Sequence, residues 1–256
     1  MLGGMNSEFR GKTALITGAS RGIGAATAVA LARRGVSRLL LHYNASSEAA
    51  EKILAAVREA GSDGTLLQAD LGSRDGIRAL AAALREQEVD ILINNAGSLV
   101  RRATLLEFTE DLFDTVMDLN FRSAWFLTQA VVPGMLRNGS GVIVNVSSIA
   151  ARNGGGPGAT VYAAAKAAIS AMTKGLAREL APKGIRVNAV SPGTVDNDFH
   201  RRFSTREVLD QVVRMTPAGR LSTNEDVAGV IVFLCSDAAS YIHGQTIEVN
   251  GGLLAP

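Results

Sequence analysis

The 256-residue sequence is short of cysteine, histidine, net charge and long apolar runs, and each shortage closes off a class of protein. A single cysteine, Cys235, leaves no internal disulfide framework, so a reducing compartment is expected and Cys235 reads as a small buried hydrophobe. His42, His200 and His243 are scattered and no Cys/His cluster exists, so no catalytic metal is expected. With 26 basic and 24 acidic residues the net charge is +2, too little for a nucleic-acid footprint. No apolar stretch approaches the roughly 18 residues of a membrane span. The first ten residues lack the apolar core of a secretory signal, so the protein is expected to be soluble and cytoplasmic. Residues 1–9 read as a flexible leader, with Met5 as a second candidate start. The 27 glycines follow no G-x-y period, which excludes collagen.

What is present is 47% hydrophobic residues, enough for a substantial core. Near-continuous apolar runs read as strands buried on both faces of a parallel sheet: Thr13–Thr17, Arg38–His42, Thr65–Ala69, Asp90–Ile93, Val142–Val146, Arg186–Val190 and Thr246–Val249. Between them Ile23–Arg34, Ser47–Ala60, Arg74–Gln87, Thr109–Arg137, Ala159–Leu180 and Asn224–Cys235 read as helices. The alternation predicts an α/β fold: a single-domain Rossmann-type doubly wound parallel sheet of about seven strands, with helices on both faces. No linker or repeat divides residues 10–256. The least regular stretch, 194–220, contains Phe199, His200, Arg201 and Arg202 and follows the sixth strand, where a substrate lid is expected.

The first strand runs into Thr17-Gly18-Ala19-Ser20-Arg21-Gly22-Ile23-Gly24 ahead of a helix. Glycines there let the backbone approach a pyrophosphate, which the helix N-terminus then faces. Placement at the first strand-to-helix turn makes this the candidate dinucleotide loop, although the spacing differs from G-x-G-x-x-G. An NAD site usually carries an acid at the end of strand two. Here that end reads His42-Tyr43-Asn44-Ala45-Ser46, without a carboxylate to repel a 2′-phosphate. Arg21, with Ser20, Asn44 and Ser46, can supply charge-assisted bonds to that phosphate. NADP(H) is therefore favoured and NAD(H) stays open, as does a plain solvated Arg21.

Thr17–Gly24, Asn94-Asn95-Ala96-Gly97, Asn120, Ser148, Tyr162-x-x-x-Lys166 and Pro192-Gly193, in that order, resemble the motifs of the short-chain dehydrogenase/reductase family. The resemblance runs from Gly11 to Gly252. The closing Gly244-Gln245 and Val249-Asn250-Gly251-Gly252 are similar to the branch of 3-oxoacyl-carrier-protein reductases and many sugar and polyol dehydrogenases. Catalytic roles at Asn120, Ser148, Tyr162 and Lys166 are implied, with Asn120 distorting its helix and holding a water next to the lysine. The resemblance also implies cofactor contacts from Gly18, Ala19, Ser20, Arg21, Ile23 and Gly24 in the loop, Asp70-Leu71 at the adenine, and Asn95-Ala96-Gly97 along the adenosine. Tyr162 and Lys166 are implied to join them, as are Pro192, Gly193 and the Val195 backbone over the nicotinamide. Where the family often has threonine, this chain has Asn197. A homotetramer is implied as well, with Trp125 and Phe126 on an interface helix.

The chemistry follows from the residues too. Tyr162 and Lys166, four apart, share a helix face. An ammonium about 4 Å away at an effective dielectric near 20 contributes about 4 kcal/mol, or roughly three pKa units, which would bring the phenol towards neutrality. Ser148 follows the fifth strand, at the sheet edge where open α/β folds bind ligands; Ser147 is its rival. The gap from Ser148 to Tyr162 is one residue longer than the family's usual spacing, and Gly154–Gly158 is the segment able to absorb it.

The expected activity is hydride transfer between nicotinamide and a carbonyl or secondary alcohol, with a small-molecule substrate and neither nucleic acid nor membrane as partner. A 3-oxoacyl thioester leads. Of the two basic positions such enzymes use to dock an acyl carrier, one aligns near Lys183 and the other near Gly139. Arg101, Arg102, Arg152, Arg201 and Arg202 border the expected pocket, so a sugar acid or polyol competes. A non-catalytic NADP(H) sensor is the remaining alternative, and the four filled catalytic positions weigh against it.

Overall fold

Alternate side chains of the inner strands enter opposite cores, and this explains why those strands are apolar. The computed structural model describes residues 8–255. β1 (Thr13–Ile16), β2 (Arg38–Tyr43), β3 (Asp63–Gln68), β4 (Ile91–Asn94), β5 (Gly141–Val146), β6 (Ile185–Pro192) and β7 (Thr246–Val249) form one parallel sheet. Its order is β3-β2-β1-β4-β5-β6-β7. Ile16, Leu41, Ile93 and Val144 face one core together with Leu31 of α1 (Gly22–Arg33) and Leu54 of α2 (Ser47–Glu59). Leu15, Leu40, Leu92 and Ile143 face the other, with Leu80 of α3 (Arg74–Leu84). The period of two is thus satisfied on both sides of the sheet.

Beyond β4 the helical run expected over Thr109–Arg137 is broken. It divides into α4 (Glu110–Met117), a π-helical turn over Asp118–Arg122, and α5 (Ser123–Asn138). The break centres on Asn120. Its Nδ2 donates to Val116 O at 2.8 Å and to Ser98 O at 2.8 Å, while Oδ1 accepts from Ser98 N–H at 3.1 Å. A side chain that bonds the carbonyl four residues back competes with the helix ladder, and one extra residue per turn accommodates it.

After β5 come α6 (Ala150–Asn153) and α7 (Thr160–Leu180), joined by a turn in which Gly154, Gly155 and Gly158 take φ of +79°, +74° and +73°. That turn lies in the segment carrying the additional residue. The stretch expected to be irregular, 194–220, instead contains α8 (Asp198–Phe203) and α9 (Arg206–Met215), started by side-chain caps from Asn197 and Thr205. α10 (Asn224–Cys235) packs beside α1 and opens with a complete capping box from Thr223 and Asp226.

Of the expected leader, residues 1–7 lie outside the described residues. Glu8 and Phe9 are anchored: Phe9 is buried against the first core, and Glu8 pairs with Arg34 at 3.4 Å and accepts from Asp237 N–H at 3.1 Å. Among the described residues no helix is long and apolar enough to cross a membrane.

Candidate active site

β1 has β2 on one side and β4 on the other, so the chain changes direction across the sheet here and the carboxyl ends of β1 and β4 frame a crevice. The glycine loop fills its floor. Thr17 Oγ1 accepts from the N–H groups of Asn95 and Ala96 at 2.9 and 3.0 Å, and Asn95 Nδ2 donates to Thr17 O and Gly18 O at 2.8 and 3.1 Å. Asn95 Nδ2 and the N–H groups of Asn95 and Ala96 are therefore spent on the loop, leaving Asn95 Oδ1 and the backbone carbonyls for a ligand. Gly18 takes φ +66°, and a Cβ there would stand 3.1 Å from Ala96 Cα. A Cβ on Gly24 would collide with Gly18 O, so loop and helix need glycine to lie this close.

α1 has neither a side-chain cap nor an acidic residue in its first turn, whereas α3, α4, α8, α9 and α10 each carry a side-chain cap. An uncapped helix start beside a glycine cradle suits a pyrophosphate, so these residues fit a dinucleotide. At the far end of the crevice Arg21 Nη2 donates to Ser46 Oγ at 2.8 Å, and Asn44 Nδ2 donates to Asp70 Oδ1 at 3.3 Å. Arg21, Asn44, Ser46 and Asp70 thus form two adjacent polar pairs. Leu71 and Ala19 are buried in the cores, so their backbone alone can meet a ligand.

The catalytic candidates converge on the other side of the crevice. Tyr162 and Lys166 lie in the first half of α7, with Lys166 Nζ 5.7 Å from the Tyr162 ring centroid. Lys166 is buried and donates to Val146 O at 2.9 Å. Ser148 faces the phenol. Ser147 is excluded from that role: its Oγ lies 2.9 Å from Lys166 O, to which it donates, and 2.8 Å from Ser170 Oγ. Gly97 joins Asn120 to the group, since a Cβ on it would stand 2.7 Å from Asn120 Oδ1 and 2.9 Å from Lys166 Nζ.

The electrostatics depart from expectation. Burial pushes the Tyr162 pKa up to about 12, against a hydrogen bond with Ser148 that pulls it down. Burial also draws Lys166 down to about 8. In the chain alone desolvation wins over the expected three-unit depression, because the lysine is itself desolvated and its ammonium is turned to a carbonyl.

Helix α8 packs next to the site. Phe199 lies 6.0 Å from Tyr162, ring centroid to centroid, and Phe203 lies 5.2 Å from Phe199. His200 Nδ1 accepts from Val195 N–H at 3.4 Å, the donor expected over the nicotinamide. Burial and the Arg102 charge hold His200 down at about 4. Asn197, the departure from threonine, caps α8 and donates to Asn224 Oδ1 at 3.0 Å. Gly193 follows β6, where a Cβ would meet Asn250 at 2.9 Å. Pro192 ends β6 beside Val249.

Of the arginines expected near the pocket, Arg152 pairs with Glu248 at 2.9 Å and Arg201 with Asp196 and Asp198 at 2.7 and 3.1 Å. Arg102 ties α8 to the glycine turn, donating to Phe203 O at 2.7 Å and Pro157 O at 2.6 Å. Sequence reasoning named Arg102 without its partners, because carbonyl acceptors leave no residue-type signal. Among the described residues no group of three His, Cys, Asp or Glu could hold a metal ion.

A sequence profile of the family described as enoyl-(acyl carrier protein) reductase matches residues 18–254. The chain is 39% identical over 244 residues to the 3-oxoacyl-(acyl-carrier-protein) reductase FabG of Staphylococcus aureus, covering 94% of this chain and 98% of that protein. A crystal structure from Beutenbergia cavernae, assigned as an NAD(P)-dependent gluconate 5-dehydrogenase and holding NADP at low occupancy, superposes with a TM-score of 0.90. It is 35% identical and covers 97% of this chain and 99% of its own. A 7α-hydroxysteroid dehydrogenase in complex with NADH and 7-oxo-glycochenodeoxycholic acid gives 0.88 at 34% identity, covering 98% of each chain.

Proposed function

The chain belongs to the short-chain dehydrogenase/reductase family and is an NAD(P)-dependent oxidoreductase; from that premise we propose that it is an NADP(H)-dependent carbonyl reductase acting on 3-oxoacyl thioesters. The observation that carries this reading is the Ser148–Tyr162–Lys166–Asn120 cluster beneath an apolar lid. A nicotinamide held here would supply the hydride chemistry at the carbonyl carbon. Tyr162, its pKa high, keeps its proton at neutral pH and donates it to the carbonyl oxygen as that oxygen gains charge. Ser148 donates a hydrogen bond to the same oxygen and orients it towards the phenol. Lys166 supplies positive charge beside the phenol and a donor to the ribose hydroxyls, and Asn120 keeps the lysine in contact with solvent through water. Residues of the glycine loop and the first turn of α1 would hold the pyrophosphate, and Arg21 with Ser46 and Asn44 would hold the 2′-phosphate. Backbone at Asp70–Leu71, Asn95–Gly97, Pro192–Gly193 and Val195 would line the remainder of the cofactor.

Phe199, Phe203, Val100 and Val161 give the substrate an apolar wall, which suits an acyl chain better than a polyol. The acid partners of Arg152 and Arg201 weaken the sugar-acid reading further. Trp125 and Phe126, exposed on α5, support a homo-oligomer, a tetramer by family resemblance. Sedimentation as a monomer at micromolar concentration would remove that claim.

The test is NADPH consumption with an acetoacetyl thioester, with NADH and Tyr162→Phe as controls. Turnover should need NADPH and fall about 10²–10⁴-fold in Tyr162→Phe, with cofactor binding retained. Tight NADPH binding without thioester turnover would reject this substrate class in favour of sugar acids and polyols.

A further inference from the structure

The glycine loop is held from behind by a side chain that the reaction does not use. His42, in β2, is 2% exposed and its ring lies between the loop and the end of β3. Gly18 N–H donates to Nδ1 at 3.1 Å, and Nε2 lies 3.1 Å from Ala69 O on the opposite side. A carbonyl only accepts, so Nε2 carries the proton and Nδ1 offers its lone pair; one tautomer satisfies both contacts. Burial favours the uncharged ring, opposed by the Ala69 bond and the Asp70 carboxylate. The His42 carbonyl also accepts from Ala19 N–H at 2.8 Å. Two successive loop amides are therefore tied to β2, while Asn95 holds the Gly18 carbonyl from the β4 side. Both peptide planes flanking Gly18 are thus held: Thr17 O by Asn95 and Gly18 N–H by the His42 ring in one, Gly18 O by Asn95 and Ala19 N–H by the His42 carbonyl in the other.

We infer that His42 is a positioning residue for the dinucleotide: its Nε2–H tautomer sets the Gly18 peptide and thereby aims the loop and the first turn of α1 at the pyrophosphate. This rests on the reading of residues 17–24 as the cofactor cradle. His42 touches no reacting atom and acts through Gly18.

Two carboxamides dissect the two bonds. In His42→Asn the side-chain oxygen can take the place of Nδ1 and accept from Gly18. In His42→Gln the amide reaches the place of Nε2 and donates to Ala69, leaving Gly18 N–H without its acceptor. The experiment titrates NADPH into the full-length wild type and both variants, and follows amide hydrogen exchange at Gly18 before cofactor is added. His42→Asn should bind NADPH within about threefold of wild type and protect Gly18. His42→Gln should bind about tenfold or more weakly, expose Gly18 to exchange, and keep kcat within about twofold at saturating NADPH. Nitrogen NMR of the wild-type imidazole should show the Nε2–H tautomer. Equal NADPH affinity in the two variants, unchanged exchange at Gly18 in His42→Gln, or an Nδ1–H tautomer would overturn the positioning role. A wild type that binds neither NADPH nor NADH would instead overturn the cradle reading, and the inference with it.

Discussion

Adding one methyl group at Gly97 tests the centre of the site. The backbone there is not left-handed, so alanine costs nothing in φ and everything in crowding. Its Cβ would stand 2.7 Å from Asn120 Oδ1 and 2.9 Å from Lys166 Nζ, both too close. Asn120 is held by bonds to Ser98 N–H, Ser98 O and Val116 O, and cannot retreat without breaking one of them. Lys166 can swing, but only by leaving Val146 O. Overpacking of this kind costs about 1–3 kcal/mol, which for a chain of this size lowers Tm by roughly 2–12 °C. A displacement approaching ~1 Å at a reacting group costs up to ~10²-fold in rate. Thermal melting and reductase assays at saturating NADPH should therefore show a folded Gly97→Ala with kcat down by about two orders of magnitude. Gly229→Ala, in α10 with open space around it, should instead gain about 0.5–1 kcal/mol and keep its activity. A folded Gly97→Ala with wild-type kcat would refute the placement of Asn120 and Lys166 at the reacting centre.

Arg21→Ala should weaken NADPH binding by about 1.5–3 kcal/mol, roughly 10–150-fold, while NADH binding changes little; equal losses for both, read by fluorescence titration, would contradict the 2′-phosphate role. Burial lowers Lys166 to about 8, so its ammonium is present below that pH and lost above it. Reductive kcat/KM should accordingly hold below about pH 8 and fall above it, and Lys166→Arg should carry no such limb in the same pH series. Thr223→Ala removes the acceptor for Asp226 N–H and half of the α10 capping box. It should cost about 1 kcal/mol, or some 2–4 °C in Tm, with kcat unchanged.

The sheet was legible because its strands are apolar on both faces, and β7 falls on Thr246–Val249 as expected. The ends of the other strands moved by one or two residues, since the pairing partner and not the local pattern decides where a strand starts. That Tyr162, Lys166 and Ser148 would lie together was legible through spacing and motif order. The helices within 194–220 were not: α8 and α9 depend on caps from Asn197 and Thr205, which look like ordinary loop residues until a helix follows them. The pKa of Tyr162 was misjudged because distance to a charge can be guessed from i, i+4 spacing, whereas burial cannot. His42 was set aside for lack of metal-ligand spacing; its signal was its position at the end of the strand beside the glycine loop.

The parallel strand order has a consequence for how the chain is made. β1 is central, yet one of its neighbours, β4, pairs with it across about 75 residues of intervening sequence, Ala14 opposite Ile91. At ribosomal speeds of about 5–20 residues per second, β1 waits roughly 4–15 s for that partner. During the wait the apolar edge of β1 is open to other chains, and long-range pairing of this kind folds slowly. The nascent β1-β2-β3 half is thus the form of this protein most in need of a chaperone.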